Sequence, residues 1–239
     1  MKQIPLYKRI LLKMSGGALM SDEHQPLDPV VIDRISKEIQ AIHQLGVEIG
    51  IVIGGGNFFR GAALSKVGIN RVTADYMGML GTMMNALALR DAFEKNHLPV
   101  RIFSALAVSG VADEFHQLKA IHDLEKKRIV IFAGGTGNPL VTTDSAASLR
   151  AIEVHADVIL KATNVNGVYS DDPAKNKKAI LYKQLTYKEV LEKELGVMDL
   201  SAFCQCRDHH MTLKVFNMTK PGAFLKAVID PKEGTTVEN

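Results

Sequence analysis

Cysteine is almost missing from this chain: Cys204 and Cys206 are the only two in 239 residues. Two cysteines cannot build a disulfide framework, and such usage suits a reducing compartment. Their Cys-x-Cys spacing beside His209 and His210 hints at a metal, but no second ligand pair exists elsewhere. A helix carrying two small apolar residues is the plainer reading, and no metal site is expected. Excess charge is also scarce: a net charge of +3 gives no support for nucleic acid as the main partner. No apolar run reaches membrane-spanning length. The first residues, Met1-Lys2-Gln3-Ile4-Pro5, lack a signal-peptide core. The expectation is a cytoplasmic protein that binds neither nucleic acid nor membrane.

The common nucleotide fingerprints are missing too. A dinucleotide loop needs G-x-G-x-x-G. Gly54-Gly55-Gly56-Asn57-Phe58-Phe59 carries Phe59 at the third glycine, and Gly135-Thr136-Gly137-Asn138-Pro139-Leu140 carries Leu140 there. Neither a Walker A loop nor the H-R-D and D-F-G signatures of protein kinases occur.

What is present is a set of glycine-rich loops on strand ends. Ile129-Val130-Ile131-Phe132 reads as a buried strand. Ala133-Gly134-Gly135-Thr136-Gly137 then lets the backbone turn and bare its N–H groups. Ser145 to Arg150 begins a helix, with Thr143 or Asp144 as its expected cap. A strand, a Gly/Thr loop and a helix N-terminus make an anion site. Arg9-Ile10-Leu11-Leu12-Lys13 is a second strand, leaving into Met14-Ser15-Gly16-Gly17. The lysine there can be a phosphate contact or a strand-end charge reaching solvent. Val47 to Ile53 is a third strand, running into Gly54-Gly55-Gly56-Asn57-Phe58-Phe59-Arg60-Gly61. Asp157 to Thr163 is a fourth, opening into Asn164-Val165-Asn166-Gly167-Val168-Tyr169.

Between these strands the sequence predicts helices. One is capped by Asp28 with Pro29 at its first position, and Gly46 closes it. A methionine-striped helix covers residues 72–96, its stripe fitting core or a subunit interface. A surface helix is expected over 112–127, and a Thr186…Glu189 capping box opens another. The remaining predictions are helices at 199–209 and 221–228, strands at 99–103 and 213–216, and an edge strand at 235–237. Strand and helix alternate throughout, so an α/β fold with an open, mostly parallel sheet covered on both faces is expected. Such sheets bind ligands at the carboxyl ends of their strands, where all four unusual loops lie. A single domain of residues 1–239 is expected, with a soft boundary near 157, and its 46% hydrophobic content can fill a large core.

In combination, Lys13-Met14-Ser15-Gly16, Gly54 to Gly61, Thr136-Gly137-Asn138-Pro139, Thr142-Thr143-Asp144 and Lys161 to Tyr169 resemble the bacterial uridylate kinases of the amino-acid kinase superfamily. The resemblance runs over essentially the whole chain. It implies a three-layer αβα sandwich, a homohexamer, and transfer of the γ-phosphoryl of ATP, with Mg2+, to UMP in de novo pyrimidine biosynthesis. It implies an acceptor part over about 1–156 and a donor part over about 157–239. UMP would be held by Gly55, Asp75, Thr136, Gly137, Asn138, Pro139, Leu140, Val141, Thr142 and Thr143. ATP would be held by Lys13, Met14, Ser15, Gly16, Gly56, Arg60, Thr163, Asn164, Tyr169 and Asp172. Lys13, Arg60 and Lys161 would meet the phosphoryl charge, and Asp144 would fix Lys13. Arg90, Asp91, Arg101 and Arg128 match positions of a GTP site between subunits, with UTP as a possible inhibitor. Gly17 and the 20–26 loop depart from the family pattern, which usually has Glu-Ala-Leu and a Gly-Phe-Gly turn there. GTP control is therefore the least expected of these properties. The competing readings are a kinase of a small carboxylate or carbamate in the same fold, and a nucleotide sensor without activity.

Overall fold

The computed structural model describes residues 3–21, 25–59 and 68–239. The apolar runs become strands: β1 (Arg9–Met14), β2 (Glu48–Ile53), β3 (Val100–Ser104), β4 (Asp113–Glu114), β5 (Ile129–Ala133), β6 (Val158–Thr163), β7 (Gln184–Thr186), β8 (Thr212–Asn217) and β9 (Thr235–Glu238). The helices among the described residues are α1 (Pro29–His43), α2 (Arg71–Lys95), α3 (Gln117–Glu125), α4 (Thr143–Glu153), α5 (Tyr187–Glu192), α6 (Leu200–Asp208) and α7 (Ala223–Ile229), with a short 3-10 turn at Gly16–Leu19.

All nine strands hydrogen-bond into one sheet of order β4-β3-β5-β2-β1-β6-β8-β9-β7. Every pairing is parallel except β8 with β9. Strand alternation sorts side chains to the two faces. Ile10, Leu12 and Met14 of β1 pack with α1, α2 and α7, while Leu11 packs on the other face with α3, α4, α5 and α6. The result is the expected three-layer sandwich. On α1, Ile32, Ile35, Ile39 and Ile42 are all buried. Each contributes about 1.5–3 kcal/mol of apolar burial.

Local signals formed as read. Asp28 accepts from the amides of Val30 (2.8 Å) and Val31 (3.4 Å) and caps α1. Thr186 and Glu189 make the reciprocal capping box of α5. Three expectations need correction, and one strand had no expectation. The single helix over 112–127 is instead a two-residue edge strand, Asp113–Glu114 beside Phe103 and Ser104, followed by a helix from Gln117. β7 was not read at all: it is three residues long and exists through its pairing with β9. The cap of α4 is Thr142, not Thr143 or Asp144, because the Thr142 hydroxyl is the group that reaches the first free amides. The C-terminal cap of α1 is Gln44, not Gly46, which lies two residues on and takes the left-handed turn at φ +79°.

Chain order places β1 at the centre. From it the strands run through β2, β5 and β3 to one side and through β6 and β8 to the other. That reversal creates a crevice at the carboxyl ends of β1 and β6, the usual position for a ligand in such sheets.

Candidate active site

Lys13 near the end of β1 and Lys161 on β6 are register partners on adjacent parallel strands. Both side chains stand on the α4 face of the sheet, because Leu11, two residues before Lys13, packs there. Two neighbouring ammoniums repel each other. Asp144, in the first turn of α4, reaches between them: its Oδ1 lies 2.5 Å from Lys13 Nζ and its Oδ2 accepts from Lys161 Nζ at 2.7 Å. Among the described residues Oδ1 takes no regular hydrogen bond besides that ionic contact. Burial alone would raise the Asp144 carboxyl, but the two ammoniums outweigh it and hold it below the usual carboxylate range. Lys161 is pushed down by burial and by Lys13, against the pull of Asp144 and Asp199.

Close backbone contacts join the loops around this cluster. The Gly54 amide donates to Met14 O at 3.0 Å. A Cβ on Gly16 would stand 2.3 Å from Asn57 Oδ1 and 2.7 Å from Gly54 O, so only glycine allows this approach. A Cβ on Gly54 would lie 3.4 Å from Thr143 Oγ1, which brings the third loop alongside. Asn57 and Asn85 exchange amide hydrogen bonds at 2.8 Å, and Asn85 Nδ2 donates to Gly54 O at 2.7 Å.

Two cavities flank the cluster. The smaller, about 130 Å³, is lined by Gly55, Asp75, Thr136, Asn138, Val141, Thr142 and Thr143 of the predicted acceptor residues. The remaining three stand back from it. Gly137 packs against Ala105, Leu140 points out to solvent at φ +67°, and Pro139 lies between them in sequence. Asp75 holds the acceptor loop in place: its Oδ2 accepts from the Leu140 amide at 2.9 Å, and both its oxygens accept from Arg71 Nε at 3.0 Å. Gly78, Met79, Thr82 and Gly135 also line this cavity and were missed. For Gly78 and Thr82 the signal lay in the small residues of α2, since a Cβ on Gly55 would come within 2.1 Å of Gly78 O and 2.9 Å of the Thr82 amide. Thr82 accepts from the Gly134 amide at 2.7 Å and so sets the turn after β5.

The larger cavity, about 660 Å³, is lined by Thr163, Tyr169 and Asp172 of the predicted donor residues, by the predicted catalytic Lys161, and by Lys193 and Leu195. Asn164 is exposed and does not line it. Met14 is corrected: its side chain lies in the core on the α1 face and its carbonyl is taken by Gly54. Ser15 is exposed at the mouth between the loops, and Gly56 lies in the second glycine loop. Arg60 lies outside the described residues.

The four predicted effector residues do not all meet. Arg90 and Arg101 line a separate cavity of about 340 Å³ with Glu94 and Asp113. Arg101 and Arg128 share Asp123, at 3.1 and 2.7 Å. Asp91 is apart, exposed and paired with Lys95. The Cys206 thiol is buried against Tyr187, and burial pushes it up to about 12. Among the described residues no group of three or more His, Cys, Asp and Glu gathers to hold a metal, and no helix is long and apolar enough to cross a membrane.

The sequence matches the model of the amino acid kinase family over residues 8–217. It is 67% identical to the uridylate kinase of Coxiella burnetii over 98% of this chain and 96% of that one. It is 57% identical to the uridylate kinase of Ectopseudomonas mendocina over 98% and 95%. Its fold superposes on the crystal structure of UMP kinase from Bacillus anthracis with a TM-score of 0.94, at 40% identity, covering 97% of this chain and 96% of that one. With Lys161 on the wall of one loop-lined cavity, Thr143 beside Asp144 on the wall of the other, and relatives at this identity along its whole length, the chain belongs to the amino acid kinase family, among its uridylate kinases.

Proposed function

We propose that this protein is a UMP kinase: a phosphate oxygen of UMP bonds to the γ-phosphorus of ATP, the bond to the β-phosphate oxygen breaks, and UDP and ADP leave. The observation that carries this reading is the pair of ammoniums on one carboxylate between two cavities. Lys161 lines the larger, and Thr143, beside Asp144, the smaller. Phosphoryl transfer asks for positioning and charge stabilisation, with little covalent work from the protein. Lys13 and Lys161 supply fixed cations, the N-terminus of α4 adds the positive end of its dipole, and Arg60 would add a further cation. Asp144 is the holder of the two lysines. No general base is required, because the acceptor phosphate is already an anion.

UMP would occupy the smaller cavity, among Gly55, Asp75, Thr136, Asn138 and Thr143. ATP would reach from the glycine loops into the larger, with the face of Tyr169 beside the base and Thr163 and Asp172 on its wall. Mg2+ would arrive on the ATP phosphates. Both oxygens of Asp144 are already engaged by lysines, so no protein ligand is assigned to it. Residues 136–143 contain no arginine for a carboxylate substrate, so the small-carboxylate reading has no support in this loop. A coupled ADP-release assay across UMP, CMP, dTMP, acetylglutamate and carbamate tests the assignment. UMP is expected to exceed CMP in kcat/KM by at least roughly 100-fold, since buried polar groups left unpaired penalise the wrong base. Equal values for UMP and CMP would overturn it.

We also propose cytoplasmic function and a homohexamer. Val72, Tyr76, Leu80 and Met84 recur every four residues along α2 and are 38–50% exposed, an apolar stripe suited to a second copy. GTP is proposed to bind near Arg90, Arg101 and Arg128 but to activate weakly, with UTP as an inhibitor. Activity at subsaturating ATP, with and without GTP, should rise by less than about twofold, roughly 0.4 kcal/mol of coupling. Strong activation, or no GTP binding at all, would count against it.

A further inference from the structure

Asp199 stands outside every sequence motif, yet more polar groups of the site converge on it than on any other carboxylate described above. It caps α6, accepting from the Ala202 amide at 3.0 Å and from Ser201 Oγ at 2.6 Å. Two further donors come from the opposite side of the site, the first turn of α4. Ser145 Oγ donates to it at 3.1 Å, and the Thr142 hydroxyl donates to its Oδ2. Thr142 is the cap of α4, and its oxygen also accepts from the amides of Asp144 (3.0 Å) and Ser145 (3.3 Å). A hydroxyl has one proton and two lone pairs. With both lone pairs taken by amides, the proton has Asp199 as its partner, and the rotor is locked.

We propose that Asp199 is a positioning residue for phosphoryl transfer: by locking the Thr142 hydroxyl it fixes the first turn of α4, hence Asp144, and through Asp144 the spacing of the Lys13 and Lys161 ammoniums. It touches no reacting atom. It also joins α6, beside the wall of the larger cavity, to α4, beside the smaller. The charged groups acting on Lys161 are Lys13 from β1, Asp144 from α4 and Asp199 from α6. Asp199 therefore favours the charged lysine as well as its placement. This inference rests on the phosphoryl-transfer reading above.

The test is kcat against pH for the full-length wild type, Asp199→Asn, Asp199→Ala and Ser201→Ala, with thermal melts as the folding control. Wild-type turnover of UMP secures the reading on which the inference rests, and its absence would defeat that reading alone. Given an active wild type, Asp199→Ala should lose about tenfold or more in kcat, the scale of lost outer-shell support. Its KM values should change little. Asp199→Asn keeps an acceptor for Thr142 but removes the charge. Its loss should be smaller, while its alkaline limb of kcat moves to lower pH, because one of the two anions supporting the Lys161 proton is gone. Ser201→Ala removes a bond to Asp199 and one to Ser145 on α4 but leaves the Thr142 hydroxyl locked, so its loss in kcat should be much smaller than that of Asp199→Ala. Thr142→Val should lower kcat by itself, since it also removes the cap of α4, and adding Asp199→Ala to it should cost little more, because the hydroxyl through which Asp199 acts is then gone. If Asp199→Ala does not fold, Asp199→Asn decides alone. Wild-type kcat with an unmoved alkaline limb in Asp199→Asn, or additive losses in the double variant, would overturn the proposal.

Discussion

Replacing Lys13 by alanine should lower kcat by at least about 10²–10³-fold, the usual cost of removing one preorganised charge-stabilising donor. The UMP KM should change little. Charge spreads over the transferring oxygens mainly in the transition state, so a fixed cation there acts on kcat more than on substrate binding. The variant should stay folded. Lys13 leaves behind a carboxylate that still has Lys161 at 2.7 Å, and the glycine approaches at Gly16 and Gly54 do not use the lysine side chain. Measuring kcat and KM for both substrates, with circular dichroism as the control, separates these effects. A wild-type kcat in Lys13→Ala would move the charge-stabilising role to Lys161, Arg60 and Mg2+.

Asp144→Asn should behave differently, with loss of both activity and stability. It leaves two ammoniums on neighbouring strands with no shared anion. Breaking a buried pair from one side costs about 3–5 kcal/mol, and the lower end applies here because the site opens onto two cavities. For a chain of this size, about 3 kcal/mol is a fall of roughly 6–12 °C in Tm. The pH dependence supplies a second signature. The folded carboxyl of Asp144 lies below its unfolded value, so its contribution is fully present above the unfolded value and is lost as pH falls through the folded one. The wild type should therefore lose this part of its stability below about pH 4. Asp144→Asn should not, and the two melting curves should converge in acid. Parallel curves at all pH values would mean that Asp144 does not hold the lysines through its charge.

Much of this was legible in sequence because it is local. Continuous apolar runs became β1, β2, β5 and β6, and Asp28-Pro29 and Thr186…Glu189 are signals complete within four residues. The glycine loops were legible for the same reason, as each follows directly on its strand. What escaped reading depends on partners far away in the chain. β4 and β7 are two and three residues long and become strands only by lying beside β3 and β9. Asp199 meets Thr142 across 57 residues of sequence, so no window of neighbours could pair them. Met14 sits inside a phosphate-site motif, yet alternation along β1 sends its side chain to the opposite face from Lys13. Thr82 and Gly78 enter the acceptor cavity because the loop after β2 presses on the backbone of α2, a proximity that helix periodicity does not encode.

The register of β1 against β6 carries one more consequence. Because Lys13 and Lys161 are directly paired in adjacent strands, their backbones are held apart by the interstrand spacing of about 4.8 Å, and no choice of rotamer alters that. The base of the cationic cradle is thus inherited from main-chain hydrogen bonds, and Asp144 sets the separation of the ammoniums above it. Drift in the length of β1 is forbidden in a way that drift in the loops is not. One residue inserted between Leu11 and Lys13 would turn the ammonium into the packed layer of Ile10 and Met14 and offer an apolar side chain to Asp144. An inserted residue should therefore be tolerated in the connections and not between Arg9 and Lys13, where position is counted residue by residue.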